Sequence, residues 1–170
     1  MLEMSWNIAL VICVLIFIAF TFVVAFGAPF LPTLKQRVPE ALDLIDLKTG
    51  QTLLELGSGD GRILIEAAKR DLNAVGYELN PLLVVYSKLI TLKYRKQIKI
   101  KWGNYWNKNW AEADGIFVFL LQPYMTKLNQ KIIKQDKPIK LVSFAFTIPN
   151  KKITKEKSGL YLYNYRQSHD

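Results

Sequence analysis

Residues 55–61, with the sequence ELGSGDG, decide the fold class of this chain. They follow residues 52–54, a short apolar run that predicts a buried strand. Beyond them, apolar residues recur at the spacing of one helix face: Ile63, Leu64, Ala67 and Ala68. Glycines suit such a junction because the backbone adopts angles closed to other residues and lets a ligand approach closely. The stretch therefore predicts a ligand-binding turn between a strand and a helix.

Two phosphate-binding patterns do not fit this turn. The dinucleotide fingerprint G-x-G-x-x-G requires a third glycine where Arg62 stands. A P-loop requires a lysine followed by serine or threonine, and no such pair follows the turn. The turn therefore favours a ligand without phosphate groups.

A second acid supports a nucleoside ligand. Residues 74–78 predict a short strand that ends at Glu78, and Asn80 and Pro81 match the cap and first position of a helix. In an open parallel sheet the ligand crevice lies beyond the carboxyl ends of the strands. A carboxylate there accepts hydrogen bonds from both ribose hydroxyls. The alternative is a solvated charge at the strand end beside an ordinary loop.

The rest of the chain alternates between strand and helix patterns, which predicts an α/β domain with a mostly parallel sheet. Helices are predicted over residues 82–94 and 124–134, and strands over residues 97–102, 115–121 and 141–146. In the strand 97–102, Trp102 is placed on the apolar side with Ile98 and Ile100. Residues 152–154 and 160–165 flank a Ser-Gly turn and predict an antiparallel hairpin at the C-terminal edge.

The N-terminal region predicts one transmembrane helix. Residues 4–34 carry no charge, and residues 8–26 are almost wholly apolar, near the ~20 residues that span a bilayer. A cleavable signal peptide is disfavoured, because only Glu3 precedes the apolar run where lysine or arginine is usual. Basic residues begin at Lys35, so we expect the N-terminus outside and the catalytic domain in the cytoplasm. The predicted division is residues 1–34 and residues 35–170.

The charge pattern predicts an anionic partner. All 23 Lys and Arg residues follow position 34, against 13 of the 14 acids, which gives that part a formal charge of +10. A membrane lipid bilayer is the favoured partner of an anchored domain, and nucleic acid is disfavoured. The single Cys13 and the single His169 offer no disulfide framework and no metal site.

Together these motifs resemble those of class I S-adenosylmethionine (SAM) methyltransferases. The predicted anchor and the sequence GAPFLPT at residues 27–33 narrow the resemblance. They match the small membrane-anchored lysine methyltransferases of the ATP synthase c-subunit and adenine nucleotide translocase type, with prokaryotic relatives. The resemblance implies a Rossmann-like class I sheet, SAM as cofactor, and methyl transfer to a lysine of a membrane protein.

The resemblance also implies the residues of the cofactor site. Glu55 would place the methionine amino group, and Glu78 would bind ribose. Asn104 stands where many members have an acid that contacts adenine. The backbone around the methionine part would come from Gly57, Ser58 and Gly59.

The acceptor site is less defined. Its candidate wall residues are Phe30, Thr33, Gln122 and Tyr124. Only the final Pro-Tyr of residues 121–124 matches the motif of enzymes that methylate nucleobase amines, which disfavours such a substrate. Two alternatives stay open: methylation of a lipid or hydrophobic small molecule, and a non-catalytic SAM-binding membrane scaffold. No residue is identified as a general base.

Overall fold

The structure is a computed structural model that describes residues 6–15, 17, 21 and 32–166. The chain divides into two compact units, residues 1–31 and residues 32–170. In the first unit, residues 6–15 are helical.

The prediction of a single-pass membrane anchor is contradicted. Among the described residues, no helix combines the length and the apolar character that crossing a bilayer requires. The expected topology, with the N-terminus outside and the catalytic domain in the cytoplasm, falls with this prediction. The predicted boundary between residues 34 and 35 stays a prediction.

In the second unit, the described residues form one seven-stranded sheet with the spatial order β3-β2-β1-β4-β5-β7-β6. Strands β1 to β5 are parallel, β7 is antiparallel to β5, and β6 is antiparallel to β7. This confirms the predicted mostly parallel sheet with an antiparallel C-terminal edge. The strands are β1 (Thr52–Leu56), β2 (Asn73–Glu78), β3 (Ile98–Trp102), β4 (Gly115–Val118), β5 (Ile139–Phe144), β6 (Lys155–Lys157) and β7 (Leu160–Tyr165).

Helices connect these strands. The α-helices of this unit are α1 (Arg37–Ile45), α2 (Arg62–Lys69), α3 (Pro81–Ile90) and α4 (Met125–Ile133). Short 3₁₀ turns cover Leu92–Tyr94, Tyr105–Asn107 and Gln122–Tyr124.

Several element ends differ from the predicted ones. The helix expected over residues 82–94 ends at Ile90, where the Thr91 hydroxyl donates to the carbonyl of Ser87 at 2.7 Å and a 3₁₀ turn follows. The first hairpin strand lies at residues 155–157 instead of 152–154. Trp102 is 64% exposed, because it ends the edge strand β3, where its indole N–H donates to the carbonyl of Leu79.

The sheet separates two apolar clusters. Leu53, Phe117 and Val142 point to the side that carries α1 and α2. Their strand neighbours, Leu54, Ile116 and Leu141, point to the side that carries α4. Central strands buried on both faces account for the continuous apolar runs in the sequence. Their carboxyl ends meet at one edge of the sheet.

Gly76 in β2 allows the turn after β1 to pack against the sheet. A Cβ atom at this position would lie 2.6 Å from the Cβ of Ser58 and 2.7 Å from the Cδ1 of Leu64. Both distances are shorter than van der Waals contact, so a larger residue would displace the turn or α2.

We expect Gly76→Ala to lower the free energy of unfolding by about 1–3 kcal/mol, as overpacking of a buried contact does. Chemical denaturation of the purified protein measures the change. Lys99→Ala, at an exposed position of the neighbouring strand, is the control and should be nearly neutral. Equal stability of the Gly76 variant and the wild type would show that the turn is not tightly packed.

Candidate active site

The turn after β1 is fastened to the end of β2. The backbone N–H groups of Gly57 and Ser58 both donate to the carbonyl of Tyr77, at 2.9 Å each. The turn closes where the N–H of Gly61 donates to the carbonyl of Ser58 at 2.7 Å. Gly57 and Gly61 have φ angles of 87° and 78°, in the left-handed region. The predicted glycine turn therefore lies at the carboxyl ends of the strands. We call this side of the sheet the ligand edge.

Glu78 joins the turn to the start of α3. Its Oε2 accepts a hydrogen bond from the N–H of Gly59, and its Oε1 accepts one from the N–H of Asn80, at 2.8 Å each. The side chain of Asn80 caps α3 by accepting from the N–H of Leu82. Each carboxylate oxygen retains a further lone pair for another donor. The carboxylate is thus fixed at the carboxyl end of β2.

Glu55 is the least satisfied group of the site. It is buried, and its Oε2 has no hydrogen-bond partner in the described part of the chain. Burial, followed by the charges of Asp60 and Glu78, raises the pKa of Glu55 well above its ordinary value, and Arg62 opposes this shift. The hydroxyl of Ser58 is likewise buried without a partner. A cationic hydrogen-bond donor is the ligand chemistry that complements such a carboxylate.

Arg62 is a site residue that the sequence analysis missed. Its guanidinium pairs with Asp60, with Nε 2.9 Å from Oδ1, and its Nη1 donates to the carbonyl of Thr33 at 2.6 Å. Burial raises the pKa of Asp60, but the hydrogen bonds from Arg62 outweigh burial and lower this pKa below its ordinary value. Arg62 thereby fastens Thr33, which is buried, beside the turn. The sequence signal that could have identified Arg62 was its position directly after Gly61.

Asn104 lies after β3, next to the end of β2. The N–H of Gly103 donates to the carbonyl of Glu78 at 2.9 Å, which brings this loop to the ligand edge. The side chain of Asn104 is exposed and accepts from the N–H of Trp106 at 2.9 Å. Its oxygen therefore caps the 3₁₀ turn, and the predicted contact with adenine stays a prediction.

The acceptor candidates lie at several places. Phe30 is outside the described residues, and Thr33 lies at the turn. Gln122 donates from its side chain to the carbonyl of Thr147 at 3.0 Å, which joins the loops after β4 and β5. Tyr124 is 45% exposed, with its ring 6.5 Å from that of Trp106. Gln122 and Tyr124 follow β4 in the sequence, and their contacts are with the loops after β3 and β5.

Tyr105 was also missed by the sequence analysis. Burial, followed by the nearby Tyr124 and Glu78, raises the pKa of its phenol to about 12. Its ring also lies 5.0 Å from that of Trp106. Tyr105 thus lies between the carboxylate of Glu78 at the end of β2 and the aromatic residues Trp106 and Tyr124.

The site fits SAM. An unpartnered buried carboxylate at Glu55 suits an ammonium group, and a fixed carboxylate at Glu78 suits ribose hydroxyls. Space above Gly57 is open, since a Cβ there would meet no atom within 4 Å. The strand order, the turn after β1 and the acid that ends β2 define a class I methyltransferase domain, a class that uses SAM.

Comparison with known proteins identifies the family. The pattern of the ANTKMT methyltransferase domain matches residues 55–155. The chain therefore belongs to this family. It is 31% identical over 149 residues to a protein-lysine N-methyltransferase of Saccharolobus islandicus, covering 79% of this chain and 92% of that protein.

Two further relatives show the range of the similarity. The human lysine N-methyltransferase of the ATP synthase c-subunit is 29% identical over 125 residues, which is 72% of this chain and 53% of that protein. The chain thus spans about half the length of this relative. A solved RNA methyltransferase from Salinibacter ruber, in complex with S-adenosylhomocysteine, has a TM-score of 0.73 and 26% identity, covering 79% of this chain and 92% of its own.

We expect Glu55→Gln to raise the free energy of unfolding of the ligand-free protein at pH 7 by ~1–3 kcal/mol, because a neutral amide costs less to bury than a charge. The same change should weaken SAM binding by ~1.5–3 kcal/mol, since the charge on the partner of the ammonium is lost. Denaturation and calorimetry measure the two effects, and Glu112→Gln at an exposed position is the control.

The pH dependence has a defined sign. A carboxyl whose pKa is raised by folding holds its proton more tightly in the folded state. The free energy of unfolding should therefore fall as pH rises above the ordinary value of 4.5 and through the raised pKa of Glu55. Glu55→Gln should flatten this decline. A variant that keeps the wild-type slope would contradict the role of Glu55.

Proposed function

We propose that this domain transfers the methyl group of SAM to the side-chain amine of a protein lysine. The observation that carries the proposal is the match to the archaeal protein-lysine N-methyltransferase along 92% of that protein's length. The glycine turn, Glu55 and Glu78 all lie within residues 55–155, which match the ANTKMT methyltransferase domain.

The proposed cofactor contacts follow from the chemistry of each group. Glu55 accepts hydrogen bonds from the ammonium of the methionine part, and the backbone of residues 57–59 surrounds that part. Glu78 accepts from the ribose hydroxyls while it holds the turn through Gly59. Asn104 contacts adenine from the loop after β3. The bound cofactor supplies an electrophilic methyl group on its sulfonium.

The acceptor must arrive as a neutral amine, because a protonated lysine has no lone pair for attack. Partial burial among aromatic rings disfavours the charged form of an amine and lowers its pKa. Thr33, Gln122 and Tyr124 are the described residues proposed for the wall of this site, and Phe30 stays a prediction from the sequence. Positioning of the amine against the methyl group then supplies most of the rate enhancement.

We also propose that the protein substrate is a membrane protein. The support is the names of the matched relatives, which are lysine methyltransferases of the ATP synthase c-subunit and of the adenine nucleotide translocase. The anchor predicted from the sequence is not part of this proposal.

RNA is a second candidate substrate. A solved RNA methyltransferase shares 26% identity with this chain, and the formal net charge of +9 suits a polyanion. The departure of residues 121–124 from the nucleobase-methylating motif favours lysine over RNA.

A transfer assay distinguishes these functions. The purified protein is incubated with SAM labelled in its methyl group and with detergent-solubilised membranes or total RNA, and the label is followed into protein, lipid and RNA. We expect label in protein, recovered as methyl-lysine after acid hydrolysis. Label mainly in lipid or RNA would reject the lysine assignment and leave the cofactor site standing.

Glu78→Ala should weaken SAM and S-adenosylhomocysteine binding by ~1–3 kcal/mol in calorimetry, because ribose hydroxyls and the N–H of Gly59 both lose a charged acceptor. Glu112→Ala, at an exposed carboxyl, is the matched control. Wild-type affinity in the Glu78 variant would remove this residue from the cofactor site. No binding by the folded wild-type protein would end the methyltransferase proposal itself.

A further inference from the structure

Helix α3 packs on the domain through one apolar residue and two hydroxyl residues. Val84 and Ser87 are buried, and so is Thr91 directly after the helix. This side lies against the ligand turn, where a Cβ atom at Gly61 would be 3.4 Å from the Cγ2 of Thr91 and 3.5 Å from the Cβ of Ser87. The inward side of α3 is thus committed to the domain.

The outward side of α3 carries its large apolar residues. Leu82, Val85, Tyr86 and Leu89 follow the i, i+3, i+4, i+7 spacing of one helix face, and they are 59%, 59%, 52% and 61% exposed. A surface helix normally turns such a stripe toward the core and its polar residues toward water. In α3 this stripe is exposed, so it is available to something outside the domain.

The apolar surface continues beyond the helix. Ile90, Leu92 and Trp102 are 41%, 57% and 64% exposed. The indole N–H of Trp102 donates to the carbonyl of Leu79 at 3.0 Å, which places the ring beside the start of α3. We call this surface the α3 face; it consists of Leu82, Val85, Tyr86, Leu89, Ile90, Leu92 and Trp102.

The sequence stretch that carries the α3 face contains charges of one sign. From residue 79 to residue 111 the sequence contains no Asp or Glu. The same stretch contains seven exposed basic residues: Lys88, Lys93, Arg95, Lys96, Lys99, Lys101 and Lys108. A second copy of this chain would bring two such stretches together, and their repulsion opposes a symmetric dimer through this face. The occupant must therefore be both apolar and anionic.

We propose that the α3 face binds the surface of an anionic lipid bilayer, with α3 lying in the plane of the interface. Nucleic acid satisfies the charge but offers no apolar layer for the leucines. A lipid leaflet offers both, since acyl chains receive the apolar stripe and anionic headgroups receive the lysines. Trp102 and Tyr86 are residue types enriched at the membrane interface. This contact crosses no bilayer, and it does not depend on the methyl-transfer reaction.

The test measures the environment of the α3 face separately from that of another exposed site on the same chain. In the full chain, Cys13→Ser removes the single cysteine, and Leu89→Cys then carries an environment-sensitive fluorophore. The matched control carries the same fluorophore through Ile133→Cys, which is 58% exposed on α4 across the sheet. Each protein is titrated with phosphatidylcholine vesicles, with and without phosphatidylglycerol, and with an acidic amphipathic peptide.

We expect a blue shift of the label at position 89 with vesicles that contain phosphatidylglycerol, and no shift at position 133. Equal shifts at both positions, or no shift at position 89, would overturn the proposal. So would a response to the acidic peptide alone, which would assign the face to a protein partner. A shift that grows with protein concentration without vesicles would indicate a second copy and would also overturn it.

Substitutions separate the two components of binding. Leu82→Gln together with Leu89→Gln should weaken partitioning about tenfold or more, whereas Ile133→Gln should not change it. Lys88→Gln and Lys93→Gln should each weaken partitioning about fivefold at low salt. The effect of the lysine variants should fade as salt is raised. Partitioning that depends on neither the leucines nor the lysines would contradict the proposal.

Discussion

The carboxylate of Glu78 is the constraint on which the ligand edge depends. One oxygen holds the N–H of Gly59 in the turn, and the other holds the N–H of Asn80 at the start of α3. The carbonyl of Tyr77, one residue earlier, accepts from two further N–H groups of the turn. The end of one strand thereby fixes the glycine turn and the entry to the next helix. A backbone segment rich in glycine is costly to order, and these bonds offset that cost before any ligand is bound.

A balance of charge surrounds this constraint. Glu55, Asp60 and Glu78 bring three carboxyl groups to one small region, and Arg62 is the cation beside them. Arg62 is paired with Asp60, so Glu55 remains buried and poorly compensated. In the proposed cofactor contact, this unfavourable burial lies where the positive amino group of SAM would bind. That proposal sets stability against ligand affinity at Glu55, as is common where a site is prepared for its ligand.

The ligand edge and the α3 face share α3 as a common support. The helix lies on the turn through Ser87 and Thr91, which are small enough to approach Gly61. Val84 is buried on this inner side, whereas the larger Leu82, Tyr86 and Leu89 lie on the outer side. In the proposed lipid contact, α3 would pack against the ligand edge through its inner side and contact the membrane surface through its outer side. The ligand edge would then lie near the surface in which a membrane-protein substrate resides.

Local sequence determined the sheet and the ligand turn. The positions of β1, β2 and the turn follow from apolar runs and glycine spacing, because strand period and positive φ angles are local properties of the chain. The acid at the end of β2 could likewise be recognised from its place after an apolar run. Composition alone also suggested a membrane span before residue 34, but no described helix is long and apolar enough for one. Apolar content by itself does not specify the surroundings of a segment.

Tertiary structure decided which groups meet. Arg62 reaches Thr33 across 29 residues, which no spacing rule predicts. The sequence placed Glu78 near the glycine turn, but only the structure shows that its carboxylate holds the N–H of Gly59. The exposure of Trp102 depends on β3 being the edge strand, a fact of sheet order. The exposure of the apolar stripe of α3 depends on the helix packing through Val84 and Ser87 instead. The periodicity of a helix shows which residues share a face, but only the packing of its neighbours decides whether that face is turned inward or outward.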